Sequence, residues 1–156
     1  MMFTRQSIVI LVAVVLGPTA RADDGAKAEF DRLQGHWKGV ALESDGRKAT
    51  EAEIEAMKDG GWSFEGDVVS FEDPRIPPIR SRVELDLATD PRSLDLIGLD
   101  GPQEGKVMRG IYKIEGDRLT ICLRDLASDS KGRPSEFATA PESGLGLIVL
   151  ERADPE

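Results

Sequence analysis

Apolar and polar positions alternate with a period of two along much of this chain, and Gly, Asp and Pro interrupt the alternation at short intervals. That is the pattern of antiparallel strands with one face on a core, joined by tight turns. Its clearest instance occurs twice. Trp62-Ser63-Phe64-Glu65-Gly66-Asp67-Val68-Val69-Ser70-Phe71 lines up with Tyr112-Lys113-Ile114-Glu115-Gly116-Asp117-Arg118-Leu119-Thr120-Ile121. A Gly-Asp loop between two alternating runs predicts a two-residue hairpin, with Gly supplying positive φ. The spacing pairs Phe64 with Val69 and Trp62 with Phe71, and likewise Ile114 with Leu119 and Tyr112 with Ile121.

Around these hairpins the same reasoning places further elements. Ala26, Phe30 and Leu33 recur at helical spacing and end at Gly35, a short helix able to close one end of a barrel. The polar residues Asp23 to Lys27 read as a frayed start. A first strand is expected over His36 to Glu43, with a bulge near Gly39, because Trp37 and Ala41 hold one parity and Val40 and Leu42 the other. Ser44-Asp45-Gly46 is a turn signal. Thr50 and Glu53 have capping-box spacing, so a short helix carrying Ile54 and Met57 is expected to run until Gly60-Gly61. Arg82 to Leu87 alternates strictly, with Val83, Leu85 and Leu87 inward, and Leu94 and Leu96 continue that face. Lys106 to Glu115 is another strand. Leu145 to Leu150, apolar on both parities apart from Gly146, suits a strand covered on both sides or one that closes the structure against the first. About eight locally connected strands favour an antiparallel barrel over a sandwich, of a size that holds side chains or one small ligand.

Residues 1–22 read as a cleavable signal peptide. Arg5 supplies the positive start, Ser7 to Leu16 is almost wholly apolar, Gly17-Pro18 breaks the run, and Ala20-Arg21-Ala22 fits the small-x-small cleavage rule. The apolar run is too short to span a bilayer. Residues 23–156 then form one domain, exported to the periplasm or beyond. The whole chain carries a net charge of −9, and losing Arg5 and Arg21 with the leader makes it more acidic still. Such a surface disfavours nucleic acid and anionic membranes as partners. Cys122 is the single cysteine, so no intrachain disulfide is expected and a buried free thiol is the simplest reading.

Little in the sequence points to catalysis. His36 is the only histidine and Cys122 the only cysteine, which leaves the usual zinc donor sets incomplete. No Gly-x-Ser-x-Gly elbow and no calcium loop is present, and Gly101 to Lys106 is one residue short of a phosphate-binding loop. Glu84, Asp86 and Asp95 fall on the polar parity of their strands, as solvated carboxylates do. We therefore expect no cofactor, no metal and a non-enzymatic role. The remaining candidates are aromatic. Trp62, Phe64 and Tyr112, with Trp37 and Phe71, either fill the core or line a ligand cavity.

Four segments in order carry a family resemblance: Leu33-Gln34-Gly35-His36-Trp37-Lys38, in which a Gly-x-Trp opens the first strand; Gly110-Ile111-Tyr112 with Glu115-Gly116-Asp117; Leu119-Thr120-Ile121-Cys122-Leu123; and Arg133-Pro134-Ser135-Glu136-Phe137. From about Leu33 to Arg152 the chain resembles the small exported lipocalin-like domain found in many copies in planctomycete genomes. The resemblance implies a lipocalin-like barrel and export, and no established activity comes with it. Arg75-Ile76-Pro77-Pro78-Ile79 departs from the pattern, being Pro-rich where a plain strand or short turn is expected. Two roles follow as expectations. One is binding of a small apolar molecule in the barrel, which an opening of about 300 Å³ or more would support. The other is an interaction module for an exported protein, which a filled barrel would favour. N-terminal sequencing of protein from the native host should find Asp23 first; an intact Met1 in the mature pool would contradict the export argument.

Overall fold

A computed structural model describes residues 22–126 and 132–153. The expected leader, apart from Ala22, lies outside them. Among the described residues nine strands occur in the order β1 (Gly35–Ser44), β2 (Arg47–Lys48), β3 (Gly61–Glu65), β4 (Val68–Asp73), β5 (Ile76–Asp86), β6 (Arg92–Gly98), β7 (Val107–Glu115), β8 (Arg118–Arg124) and β9 (Leu145–Arg152). Helix α1 (Ala22–Leu33) precedes them and α2 (Glu51–Ala56) lies between β2 and β3. Every ladder is antiparallel, and pairing of β1 with β9 closes the sheet into an eight-stranded barrel to which β2 adds a short extra strand. This is the mainly β antiparallel barrel that the alternation predicts, and it is consistent with the lipocalin-like barrel that the resemblance implies.

The repeated hairpins have the expected register. Phe64 faces Val69 and Trp62 faces Phe71, while Ile114 faces Leu119 and Tyr112 faces Ile121. Gly66 and Gly116 both sit at φ 61°, the left-handed conformation that the first position of such a turn demands. Ser44-Asp45-Gly46 forms a third tight turn, with Asp45 at φ 49° and Gly46 at φ 80°, and it produces the β1–β2 hairpin. The two-residue β2 is too short to show as alternation, which is why it goes unseen in the sequence. The bulge is present: Gly39 faces Leu150 and Ala41 faces Val149, leaving Val40 unpaired in the ladder.

Two expectations are corrected. Asp23 to Lys27 is not a frayed tail, because α1 begins at Ala22. Glu29 extends the face formed by Phe30 and Leu33 toward the barrel and gives the helix a polar anchor there. The Pro-rich stretch is not a break in pairing either. β5 runs through Pro77 and Pro78, beyond the point where β6 begins to pair at Ser81, so neither proline removes a hydrogen bond from the β5–β6 ladder. On the β4 side the register shifts between Phe71 and Asp73, opposite the prolines.

The core fills the α1 end of the barrel. Leu33, Trp37, Leu94, Leu119, Ile121 and Leu150 are fully buried, and Phe30, Leu85, Leu87 and Ile114 pack against them. The Trp37 indole donates to the Leu33 carbonyl at 2.8 Å. Arg152 lies over the Trp37 ring, 4.2 Å from its centroid, and donates to the Gln34 and Arg32 carbonyls at the end of α1. One guanidinium thus caps the helix and covers the indole. Gln34 grips the Gly66 turn with its amide, donating to the Gly66 carbonyl and accepting from the Gly66 N–H.

A second small core lies outside the barrel. Ile111 and Cys122 point away from the interior yet are buried, as is Pro134 from the segment after β8. That segment is fastened by Arg133 to Asp95 and to the Gly110 carbonyl, by Thr139 to Glu43, and by Arg124, which donates to the Gly132 and Ser143 carbonyls. Trp37→Ala should lower stability by about 3–5 kcal/mol, as for other buried aromatics, and depress the melting temperature sharply. A change within about 0.5 kcal/mol, typical of a surface substitution, would contradict a packing role for Trp37 at the closed end of the barrel.

Candidate functional site

At the α1 end every inward polar group is satisfied. Glu29 is buried and accepts from Arg92 at 3.0 Å, from Arg32 at 3.1 Å and from the Tyr112 hydroxyl at 3.0 Å. Burial first, and then the Glu29 carboxylate, push the Tyr112 hydroxyl well above its ordinary range. Tyr112, one of the three aromatic site candidates, is therefore a structural tie between α1 and β7. Phe64 is likewise buried in the core, tilted against Trp62 with ring centroids 6.5 Å apart. Trp62 belongs to the same buried core and also meets a void. It lines a small cavity of about 30 Å³, room for roughly one water, together with Gly39, Met57, Phe71 and Leu150.

At the α2 end Phe71, Met108 and Ile148 pack against the core, partly buried, and register places Ile79 and Leu42 on the same inner face. A concavity of about 310 Å³ opens here, lined by Leu42, Ser44, Arg47, Ala49, Glu53, Ala56, Met57 and Arg75. Its rim charges are matched in pairs. Arg47 donates both terminal nitrogens to Glu53 at 3.2 Å. Arg75 donates through its backbone N–H, Nε and Nη2 to Asp73, and these hydrogen bonds hold the Asp73 carboxyl down at about 2. Glu53 closes the capping box expected with Thr50, accepting from the Thr50 N–H at 2.8 Å while its own N–H donates to Thr50 Oγ1. Met57 and Gly39 meet here without any motif in the sequence to mark them, and their juxtaposition follows only from the bulge and the helix.

A larger concavity, about 580 Å³, lies on the outer face between α2 and the β1–β9 ladder. Val40, Ala41, Ala49, Ile54, Leu147 and Val149 form its apolar lining, and Lys48, Lys58, Glu43, Glu51 and Glu55 its charged edge. The bulge creates part of this surface by turning Val40 outward, where it is 37% exposed.

The remaining chemistry is scattered. His36 Nδ1 lies 3.0 Å from Ser63 Oγ and Nε2 lies 3.7 Å from Glu72, so a Ser-His-Glu chain of contacts crosses β1, β3 and β4. It is on the outer face with the imidazole half exposed, which denies it the water exclusion that activates such sets. Among the described residues, no group of three or more His, Cys, Asp or Glu is placed to hold a metal ion. Cys122 is a buried free thiol, 3.9 Å from the Ala138 carbonyl, and burial raises its pKa. Glu84 and Asp86 are exposed, while Asp95 pairs with Arg133 at 2.6 Å. Compared with protein-family models, curated proteins and solved structures, the chain shows no match.

Tyr112 is the only tyrosine, so its ionisation can be read directly from phenolate absorbance. The folded state favours the protonated hydroxyl. Its contribution to stability is therefore complete below the unfolded value near 10 and is lost as the pH rises above it. Phenolate should emerge only together with unfolding. A smooth titration near 10 in the folded protein would refute the Glu29–Tyr112 tie.

Proposed function

We propose that this is an exported, non-enzymatic binding protein whose barrel takes a small apolar or amphipathic molecule at its α2 end. The observation that carries the reading is an opening of about 310 Å³ at that end, lined by Leu42, Ala49, Ala56 and Met57. That opening is at the lower limit of ligand pockets, which run from about 300 Å³ upward. The signal-peptide pattern and the four family-like segments support export and a lipocalin-like assignment. The net charge of −9 supports a partner that is neither nucleic acid nor an anionic membrane.

A second reading, a module that binds an exported protein, is favoured by the outer concavity of about 580 Å³ with its apolar lining. Adjacent residues of β9 separate the two. Ile148 packs on the barrel core and Leu147 lines the outer concavity. With a polarity-sensitive apolar dye as probe, Ile148→Asp should abolish binding and Leu147→Asp should leave it intact, both variants being checked by thermal melts. The reverse pattern would transfer the binding role to the outer face. Native mass spectrometry of protein recovered from its own exported fraction should then show a retained small molecule for the first reading, and a protein partner for the second.

A further inference from the structure

We propose that Met57 is a gate, and that the slot it fills is the seat of an unbranched alkyl chain with a neutral polar head. The proposal rests on the open end being a binding site and names the ligand class that fits there.

The barrel wall is incomplete beside this slot. β1 pairs with β3 only over Gly35 to Trp37, and β2 takes up that side again only at Glu43. Between them α2 stands across the gap, with one backbone bond, Ala49 N–H to the Leu42 carbonyl, next to it. The helix is six residues long and buries no side chain of its own. Its polar tethers, Thr50 with Glu53 and Arg47 with Glu53, are exposed. Such a helix opens at little cost, as segments with few buried contacts do.

Met57, at the C-terminal cap of α2, reaches across the gap to Gly39. A Cβ added at Gly39 would lie 2.8 Å from the Met57 Cε, so the absence of a side chain at Gly39 makes room for that methyl. Met57 and Ala56 line both the open concavity and the inner cavity that touches Trp62, Phe71 and Leu150. The Met57 side chain therefore divides one space into two. When it swings out, the opening extends to the Trp62 indole. Its present occupant describes the ligand: methionine is an unbranched, flexible apolar chain, and a straight alkyl tail has the same cross-section. The rim describes the head. Both guanidiniums there are already matched by carboxylates, Arg47 by Glu53 and Arg75 by Asp73, so a charged head finds no uncompensated partner and a neutral hydroxyl is favoured.

The test uses the full mature chain and a straight-chain undecanol brominated at its terminal carbon, which quenches tryptophan at contact range. The chain has two tryptophans, Trp62 at the slot and Trp37 at the plugged end. The alcohol should quench Trp62 alone, so that Trp62→Phe leaves an unquenched signal; quenching that persists in this variant would overturn the seat. Met57→Ala should tighten binding about tenfold by removing the internal competitor, and adding Gly39→Ala in the Met57→Ala background should weaken it about tenfold by narrowing the emptied slot. Gly39 is not at positive φ, so the alanine carries no backbone strain and thermal melts should confirm that both variants fold. Opposite shifts support the gate. Equal affinities in all three proteins, with quenching intact, would overturn the gate and leave the open-end reading standing. No quenching in any of the folded proteins would overturn both. The corresponding bromo-carboxylate and bromo-amine should bind no tighter than the alcohol, and a tenfold preference for either would overturn the neutral head.

Discussion

The pairing of β1 with β9 is the constraint on which the rest of this molecule depends. Until it forms, the chain is a curled sheet with two open edges; once formed, every strand has an inside and an outside. The seam also carries the bulge. Below it Trp37 and Gly39 face inward, and above it Leu42 does, because Val40 absorbs the extra residue. Without that slip, Leu42 would face water and Ala41 the interior. The bulge therefore sets where the floor of the barrel lies, where the gap beside α2 begins and which apolar residues reach the outer face.

Much of this was legible in the sequence, for identifiable reasons. Strict alternation and a two-residue Gly-Asp loop leave one register for each hairpin, so Trp62–Phe71 and Tyr112–Ile121 could be paired without coordinates. The capping box at Thr50 and Glu53 is local chemistry and could be read the same way. The parity conflict between Trp37 and Val40 located the bulge. What escaped was long-range. Glu29 and Arg152 look like ordinary surface charges in a chain rich in them, yet one ties α1 to Tyr112 and Arg92 and the other covers Trp37. The aromatic candidates Phe64, Tyr112 and Trp62 all went to the core, and Trp62 also lines a small void with Gly39 and Met57, a juxtaposition that no spacing rule reveals.

The two concavities share a physical origin. α2 is too short and too polar to bury a face of its own, so it leaves space on both sides. Toward the barrel it leaves the opening divided by Met57, and away from the barrel it leaves the apolar surface around Val40 and Val149. An ideal barrel would have closed that gap with another full-length strand. Here a helix held mainly by exposed hydrogen bonds stands in its place, and a segment that buries no side chain of its own borders both concavities.

The seam also concentrates the chain entropy of the fold. Every other ladder in the barrel wall joins strands that are consecutive around it, several through two-residue turns. The β1–β9 ladder instead links the two ends of the described domain, for instance Lys38 with Glu151. By the logarithmic cost of loop closure, joining segments about a hundred residues apart costs about 3 kcal/mol more than closing a loop of about four. Hairpins forming in sequence shorten that loop step by step, so the same meander that builds the wall also lowers the cost of sealing it.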